Sequence, residues 1–197
     1  MTTVTCDLTV SVDGFVAGPR QSLEQPIGEG GERLHRWMFD PQGEDQAVLD
    51  ASQQAPGAYV MGRNMFGPDR GPWDLAWRGW WGDDPPYHHP VVVLSHRPRA
   101  DLVLDGGTTF LFETGGIVAA LERARALAGD RTVAIAGGAS TAHQYLAAGL
   151  VDELHLHIAP PVLGAGERLF AGVGPLDLVP TQVIGSRDVT HVRYRLT

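Results

Sequence analysis

The sequence has one cysteine, few basic residues and no apolar run long enough to cross a bilayer. Cys6 alone excludes an intrachain disulfide, and a lone thiol fits a reducing compartment. Lysine and arginine together number 15 against 23 acidic residues, for a formal net charge of -8. Nonspecific nucleic-acid affinity draws on a basic surface, so no nucleic-acid partner is expected. A membrane span needs roughly 20 consecutive apolar residues, and the stretch Thr3-Val4-Thr5-Cys6-Asp7-Leu8 follows no basic segment of the kind that opens a signal peptide. The expectation is a soluble, cytoplasmic protein with no membrane partner. A small anionic ligand remains open, because two or three well-placed donors suffice for one.

What is present is globular. Hydrophobic residues make up 43 % of the chain and charged ones 19 %, enough for one sizeable core and against disorder. No repeat or linker divides the chain, so residues 1–197 are expected to form a single domain. Residues 4–12 alternate, with Val4, Cys6, Leu8, Val10 and Val12 on one side and Thr5, Asp7, Thr9 and Ser11 on the other, which is a strand. Turn formers dominate residues 13–30, and helices are expected near 32–39 and 44–54, the latter with Val48, Ala51 and Ala55 inward. Ala58-Tyr59-Val60-Met61 is a short strand. Residues 67–90, punctuated by glycine and proline and holding most of the tryptophans, form a long irregular excursion. Val91-Val92-Val93-Leu94 reads as a strand buried on both faces. Strands at 108–112, 132–136, 153–159 and 190–196 alternate with helices at 117–128 and 140–148. That pattern predicts an α/β fold with a mostly parallel central sheet between helical layers and antiparallel C-terminal strands.

In open α/β sheets, ligands bind beyond the carboxyl ends of the strands. Ala136-Gly137-Gly138-Ala139-Ser140-Thr141 runs from a strand into a helix whose free N–H groups favour a phosphate. The same residues also suit a plain tight turn with Ser140 as helix cap. Gly62-Arg63-Asn64 ends another strand, where an arginine fork can clamp a phosphate or stay solvated. Leu94-Ser95-His96-Arg97 ends a third with a hydroxyl and two cations, or is simply a polar loop. Each alone is weak; together, on one sheet, they point to an anionic nucleotide.

The ordered set Asp13-Gly14, Val60-Met61-Gly62-Arg63-Asn64, Val93-Leu94-Ser95-His96-Arg97, Ile135-Ala136-Gly137-Gly138-Ala139 and Asp152-Glu153-Leu154-His155-Leu156-His157-Ile158-Ala159-Pro160 resembles the dihydrofolate-reductase-like superfamily. It is most similar to the reductase domain at the C-terminus of the bifunctional riboflavin-biosynthesis deaminase-reductases, and to their stand-alone relatives. The resemblance implies the three-layer α-β-α fold of that superfamily, NADPH as cofactor, and hydride transfer to a C=N or C=O carbon of a pyrimidine- or pterin-like heterocycle. It further implies that Gly62, Arg63 and Asn64 hold the cofactor phosphates, and that Leu94, Ser95, His96 and Arg97 flank the adenosine 2′-phosphate. Ala136 to Thr141 would cover the pyrophosphate and nicotinamide ribose, and Val16, Ala17 and Gly18 would belong to a loop that closes over the nicotinamide. Such relatives commonly pair, so a homodimer is expected.

The substrate side carries less signal. No acid between Gly28 and Asp40 matches the helix carboxylate that assists folate reduction. Asp13, at the end of the first strand, is the candidate catalytic acid, although Asp-Gly also makes a turn. Trp37, Phe39, Phe66, Trp80 and Trp81 are the candidate substrate contacts, since flat rings stack on flat heterocycles; anchoring a loop is the alternative for the tryptophans. A riboflavin-pathway substrate carries a ribose phosphate and would need further cations. His155 and His157 share one strand face, but no third ligand is evident, so no metal is expected. The competing expectation is a non-catalytic NADPH- or drug-binding protein that keeps the fold.

Overall fold

The structure, a computed structural model, describes residues 2–68 and 71–197. Met1 lies outside the described residues, as do Asp69 and Arg70 of the expected excursion. In chain order the elements are β1 (Val4–Ser11), β2 (Phe15–Ala17), α1 (Arg36–Phe39), α2 (Glu44–Gln54), β3 (Pro56–Gly62), α3 (Arg63–Phe66), β4 (Pro90–Leu94), β5 (Leu102–Val103) and β6 (Thr109–Glu113). They continue with α4 (Gly116–Ala128), β7 (Thr132–Gly137), α5 (Ala139–Ala147), β8 (Glu153–Ala159), β9 (Glu167–Arg168), β10 (Leu178–Gly185) and β11 (Thr190–Leu196).

One sheet takes strands from both ends of the chain in the order β10-β11-β8-β1-β7-β3-β4-β6-β5. The run from β8 to β6 is parallel throughout, while β11 and β10 at one edge and β5 at the other are antiparallel. The architecture is therefore the expected one: a mostly parallel sheet with antiparallel C-terminal strands, of the dihydrofolate-reductase-like kind. Helices carry the chain from β1 to β3 (α1, α2), from β6 to β7 (α4) and from β7 to β8 (α5), whereas the parallel neighbours β4 and β6 are joined through β5 without an α-helix.

Alternation along β1 divides the sheet into two unlike faces. Val4, Cys6 and Val10 join Val60, Val92, Ile135, Leu154 and Leu156 in a large apolar core. That core is closed by the inward stripes of α4 (Ala120, Leu121, Ala124, Ala128) and α5 (Ala142, Tyr145, Leu146). The opposite face is apolar only under β3, β4 and β6, where Tyr59, Met61, Phe66, Val91, Val93, Phe110 and Phe112 pack together. Under β1, β8 and β11 it is polar yet buried: Thr5, Thr9, His157 and His191 are all less than a tenth exposed. The 3-10 turn Gly31–His35, α1 and α2 lie over this polar region.

Several local expectations are corrected. The helix expected at 32–39 is the 3-10 turn followed by the single turn of α1. Ala51 and Ala55 face solvent; α2 turns Asp45 and Val48 inward instead. Alanine gains too little by burial to fix a helix face, and Asp45 is held inside by a histidine described below. Val12 lies beyond β1 and is 61 % exposed. The edge strand β10 was not expected at all. Its side chains are mostly exposed, so no alternating pattern marks it, and Pro180 with a register shift after it blunts the edge.

The division of faces predicts where substitutions hurt. Leu154→Ala, in the fully buried core, is expected to cost about 2–5 kcal/mol in denaturant unfolding, whereas the 64 % exposed Val183 should tolerate alanine within about 0.5 kcal/mol. Similar losses at both positions would mean that the β10 edge is covered in solution.

Candidate active site

The carboxyl ends of β3, β4, β6 and β7 open into one cleft of about 880 Å³, which continues across β1 and β8 beneath α1 and α2. Two helices point their N-termini into it. Gly115 precedes α4 and Gly138 precedes α5, and neither helix receives a hydrogen bond from a capping side chain. The first N–H groups of a helix have no partner within the helix, and the dipole adds partial positive charge there. The α5 terminus is open to an anion, whereas at α4 the Glu113 carboxylate accepts from the Gly115 N–H at 2.8 Å.

The glycine turn is built for close approach. Gly137 has φ +106, a conformation L side chains rarely adopt. A Cβ placed on Gly138 would meet nothing nearer than Cγ of Met65 at 4.0 Å, so open space stands over its backbone. On the neighbouring strand, a Cβ on Gly62 would collide with Oγ1 of Thr141. That contact locks the Gly62-Arg63-Asn64 turn against α5.

Arginine and tryptophan organise the rim. The Arg63 guanidinium lies 3.8 Å from the centre of the Trp73 ring and donates to the Gly71 carbonyl at 2.7 Å. Trp73 in turn donates its indole N–H to the carbonyl of Arg97 at 3.1 Å. Trp77 and Trp80 bind the carbonyls of Phe66 (2.8 Å) and Asn64 (3.0 Å) in the same way. Arg99 donates to the Trp77 carbonyl at 2.7 Å. The tryptophan excursion is thus tied to the ends of β3 and β4, which it holds in place beside the cleft. His96 and Arg97 are exposed on that rim, and the Ser95 hydroxyl accepts from the Arg97 backbone N–H at 3.0 Å.

Of the residues expected to hold a nucleotide, Val16, Ala17, Gly62, Arg63, Asn64, Leu94, Ser95, His96, Arg97, Ala136, Gly138, Ala139, Ser140 and Thr141 line this cleft. Gly18 and Gly137 do not line it. Gly18 packs backbone to backbone, since a Cβ there would strike the Glu29 carbonyl. Val16 and Ala17 belong to β2, which pairs with β9. Among the substrate candidates, Trp37 and Trp81 line the cleft. Phe66 is buried in the aromatic core, Phe39 is 76 % exposed, and neither it nor Trp80 reaches the lining.

The far part of the cleft contains a group of residues that no local motif announces. Nε2 of His157 lies 2.7 Å from Oδ1 of Asp7, and Nδ1 of His157 lies 2.6 Å from Nδ1 of His191. Nε2 of His191 lies 2.9 Å from Oδ1 of Asp45. Both rings pack against Trp37, with centroids 4.9 and 5.0 Å away. Asp7 and His157 face the cleft, and nearby His35 lines it too. Burial alone would raise the Asp7 carboxyl, but His157 and His155 hold it well below the ordinary carboxylate range. Burial lowers His191 and His35, and Asp7 and Glu153 raise His155 against its burial. Nδ1 of His35 and Nε1 of Trp37 are buried with no hydrogen-bond partner among the described residues. Among the described residues, no group of three or more His, Cys, Asp or Glu side chains is arranged to hold a metal.

Asp13 sits elsewhere. Its carboxylate accepts from the Ser11 hydroxyl (2.6 Å) and from the backbone N–H groups of Leu163 (3.1 Å) and Gly164 (2.7 Å). It does not line the cleft, so in this geometry it fastens the chain after β8 to the end of β1. Those bonds, the Ser11 hydroxyl foremost, pull its carboxyl down to about 2. A lowered folded pKa gives stability that is complete above the unfolded value and is lost as pH falls through the folded one. Asp13→Asn should therefore flatten the fall in stability between about pH 4 and pH 2, measured by urea unfolding; an unchanged acid limb would show the carboxylate is not held.

No curated protein matches the sequence. By structure, the chain is similar over its whole length to a protein described as belonging to riboflavin biosynthesis from Shewanella sp. PV-4, with TM-score 0.67, 21 % identity and 99 % of that chain covered. It is also similar to a pyrimidine reductase-like protein from Corynebacterium diphtheriae, with TM-score 0.60, 15 % identity and 92 % of that chain covered. A third is the diaminohydroxyphosphoribosylaminopyrimidine deaminase/5-amino-6-(5-phosphoribosylamino)uracil reductase of Thermotoga maritima, with TM-score 0.62 and 14 % identity. All of this chain aligns there, but it spans only 57 % of that longer protein. Identities this low speak for the fold, and the sequence model of the RibD C-terminal domain adds the lineage by matching residues 2–191. The chain belongs to the RibD C-terminal domain family.

Proposed function

We propose that this protein is an NADPH-dependent reductase that delivers a hydride to a C=N or C=O carbon of a small, flat, pyrimidine- or pterin-like heterocycle. The observation that carries this reading is the joining, in one cleft, of two helix N-termini without side-chain caps and an arginine-bearing strand end. The residues present fit the cofactor. The open face of Gly138 admits a bulky group against the backbone, and the N–H groups of α5 suit a pyrophosphate. Arg97 and His96 suit the additional 2′-phosphate that separates NADPH from NADH, with Arg63 close by. Once bound, NADPH supplies the hydride, and the protein's contribution is orientation, exclusion of water and a preorganised field.

The substrate side has a different character. Trp37, Tyr59, Tyr87 and Trp81 line it with flat rings, and Asp7, His35 and His157 give it polar contacts. The arginines among the described lining residues, Arg63 and Arg97, both belong to the ends of β3 and β4. A phosphorylated substrate would want a cation at the far end, so an unphosphorylated heterocycle suits the cleft better than a ribose phosphate.

Titration with NADPH is expected to quench tryptophan emission saturably, because Trp73 and Trp81 stand at the cleft rim. Absence of saturation up to millimolar cofactor would remove the reading. Arg97→Ala should weaken NADPH about tenfold or more and NADH much less, as expected for one lost charge-assisted contact; equal losses would detach Arg97 from the 2′-phosphate. Steady NADPH oxidation with a member of a panel of pterins and pyrimidines separates a reductase from a protein that only binds.

A further inference from the structure

We propose that the far end of the cleft is a site for an organic cation: a flat nitrogen heterocycle that enters already carrying its positive charge, as a cyclic iminium does. The inference rests on the reductase reading for the fate of the bound cation. The site itself rests on the shape of the hollow, its rings and its charge.

Strand register sets the shape. Period two puts Asp7 on β1, Ala134 and Ala136 on β7 and Tyr59 on β3 on the same face of the sheet, opposite the large core. Strand β7 lies between the other two, with Ala134 paired to Thr5 on one side and to Tyr59 on the other. Two strand spacings, roughly 10 Å, therefore separate the Asp7 wall from the Tyr59 wall. Between them β7 raises only the methyl groups of Ala134 and Ala136, both in the cleft lining. One or two fused rings fit a hollow of that width.

Flat rings surround it. Tyr59 and Tyr87 pack edge to face with centroids 5.1 Å apart, and the Trp81 indole N–H stands beside the Tyr87 hydroxyl. On the other wall Trp37 lies against the His157 ring at 4.9 Å, and His157 holds Asp7 at 2.7 Å. These four aromatic residues and Asp7 all line the cleft, and Trp81 is exposed there. Ring faces carry the negative part of the aromatic quadrupole and attract cations.

The charge agrees in sign. Among the described lining residues, the arginines Arg63 and Arg97 stand at the ends of β3 and β4, while the carboxylates Asp7 and Glu167 lie on β1 and β9. His157 and His155 keep Asp7 ionised against its burial, and burial disfavours the charged form of His35. Arg193 and Arg131 act on His155 and Tyr59 from outside the lining. Asp7 contacts His157 at 2.7 Å and His155 at 3.5 Å, and a quarter of its side chain stays exposed. A carboxylate offers about four lone-pair directions, so capacity remains for a ligand.

A cation also removes the need for an acid, which Asp7, held as a carboxylate, is unable to be. The carbon of the C=N⁺ group takes the hydride, the π pair moves onto nitrogen, and a neutral amine results. One C–H bond forms, and the π bond and the nicotinamide C4–H bond break. The substrate is reduced, the cofactor is oxidised, and the positive charge passes from the substrate to the nicotinamide ring. No proton enters the balance. Asp7 pairs with the substrate and not with the neutral product, so losing it raises KM without lowering kcat.

The probe is N-methyl-3,4-dihydroisoquinolinium, a permanent cation with a reducible C=N bond; the neutral control is the lactam N-methyl-3,4-dihydroisoquinolin-1-one. Binding of each to the wild-type protein, with and without NADPH, is measured by calorimetry. The cation should bind about tenfold or more tighter than the lactam, the worth of one charge-assisted contact. Equal affinities would overturn the cation site without any variant having to fold. Asp7→Asn should weaken the cation about tenfold and the lactam less than about threefold; equal losses would also overturn it. Trp81→Ala, at an exposed position, should cost the cation more than the lactam. In NADPH oxidation above the uncatalysed rate, Asp7→Asn should raise KM about tenfold and leave kcat within about threefold. A fall of about 100-fold in kcat at unchanged KM would mark a general acid instead and refute the assignment. Selective binding of the cation, with no NADPH oxidation by it or by the pterins and pyrimidines, would remove the reductase reading and leave the cation site in place.

Discussion

An ionisable side chain can be taken out of water only when another group replaces the water, and this constraint governs the half of the sheet under α1 and α2. Asp7, His157 and His191 sit on one face of three adjacent strands, where each would carry a heavy desolvation cost alone. Linked in a line and closed by Asp45, they satisfy one another's donors and acceptors. The line fixes more than itself. It draws α2 inward at Asp45 rather than at its alanines, seats Trp37 over the two rings, and joins the terminal strand β11 to β8 and β1. A polar floor held this way survives burial and still faces the cleft.

The other half of the cleft follows a different rule. Its polar groups are backbone N–H groups at the ends of α4 and α5, which any helix leaves unmatched. Glycine at both caps, where Ser, Thr, Asp or Asn would normally close the end, leaves the α5 donors without a side-chain partner, while the Glu113 carboxylate takes the Gly115 N–H before α4. The same glycines let the chain turn sharply from strand to helix. Tryptophan indoles tie the long excursion to the carbonyls of Asn64, Phe66 and Arg97. Polar features of the excursion thus maintain the shape of the rim.

These two rules explain what could be read from the sequence. Each turn of the proposed nucleotide site is local: Gly62-Arg63-Asn64, Ser95-His96-Arg97 and Gly137-Gly138 each occupy adjacent positions at a strand end, and period-two patterning locates those ends. The line of Asp7, His157, His191 and Asp45 has no such locality; its bonded partners lie 150, 34 and 146 positions apart. Its one sequence trace is negative. Thr5, Asp7 and Thr9 alternate as if toward solvent, and only the strand order reveals that α1 and α2 cover them. Asp13 stands at a strand end, where a catalytic acid is expected, yet backbone N–H groups of Leu163 and Gly164 occupy it. The edge strand β10, mostly exposed along its length, has no alternating pattern to mark it in the sequence.

The chain carries a net charge of -8, which at long range repels the anionic cofactor proposed for it. Screening at physiological salt confines that repulsion to about 8 Å, so the charge that counts is local. The cleft presents helix termini together with Arg63, His96 and Arg97, while its acidic lining residues, Asp7 and Glu167, lie on β1 and β9. Sequence-wide charge therefore says which large partners are disfavoured and nothing about a pocket. The same separation keeps the two chemistries of the cleft apart. The basic end suits the phosphates of the proposed cofactor, and at the other end Asp7 is kept a carboxylate by His157 and His155. Had Asp7 stood beside Arg97, the carboxylate would have occupied the guanidinium fork that a phosphate needs.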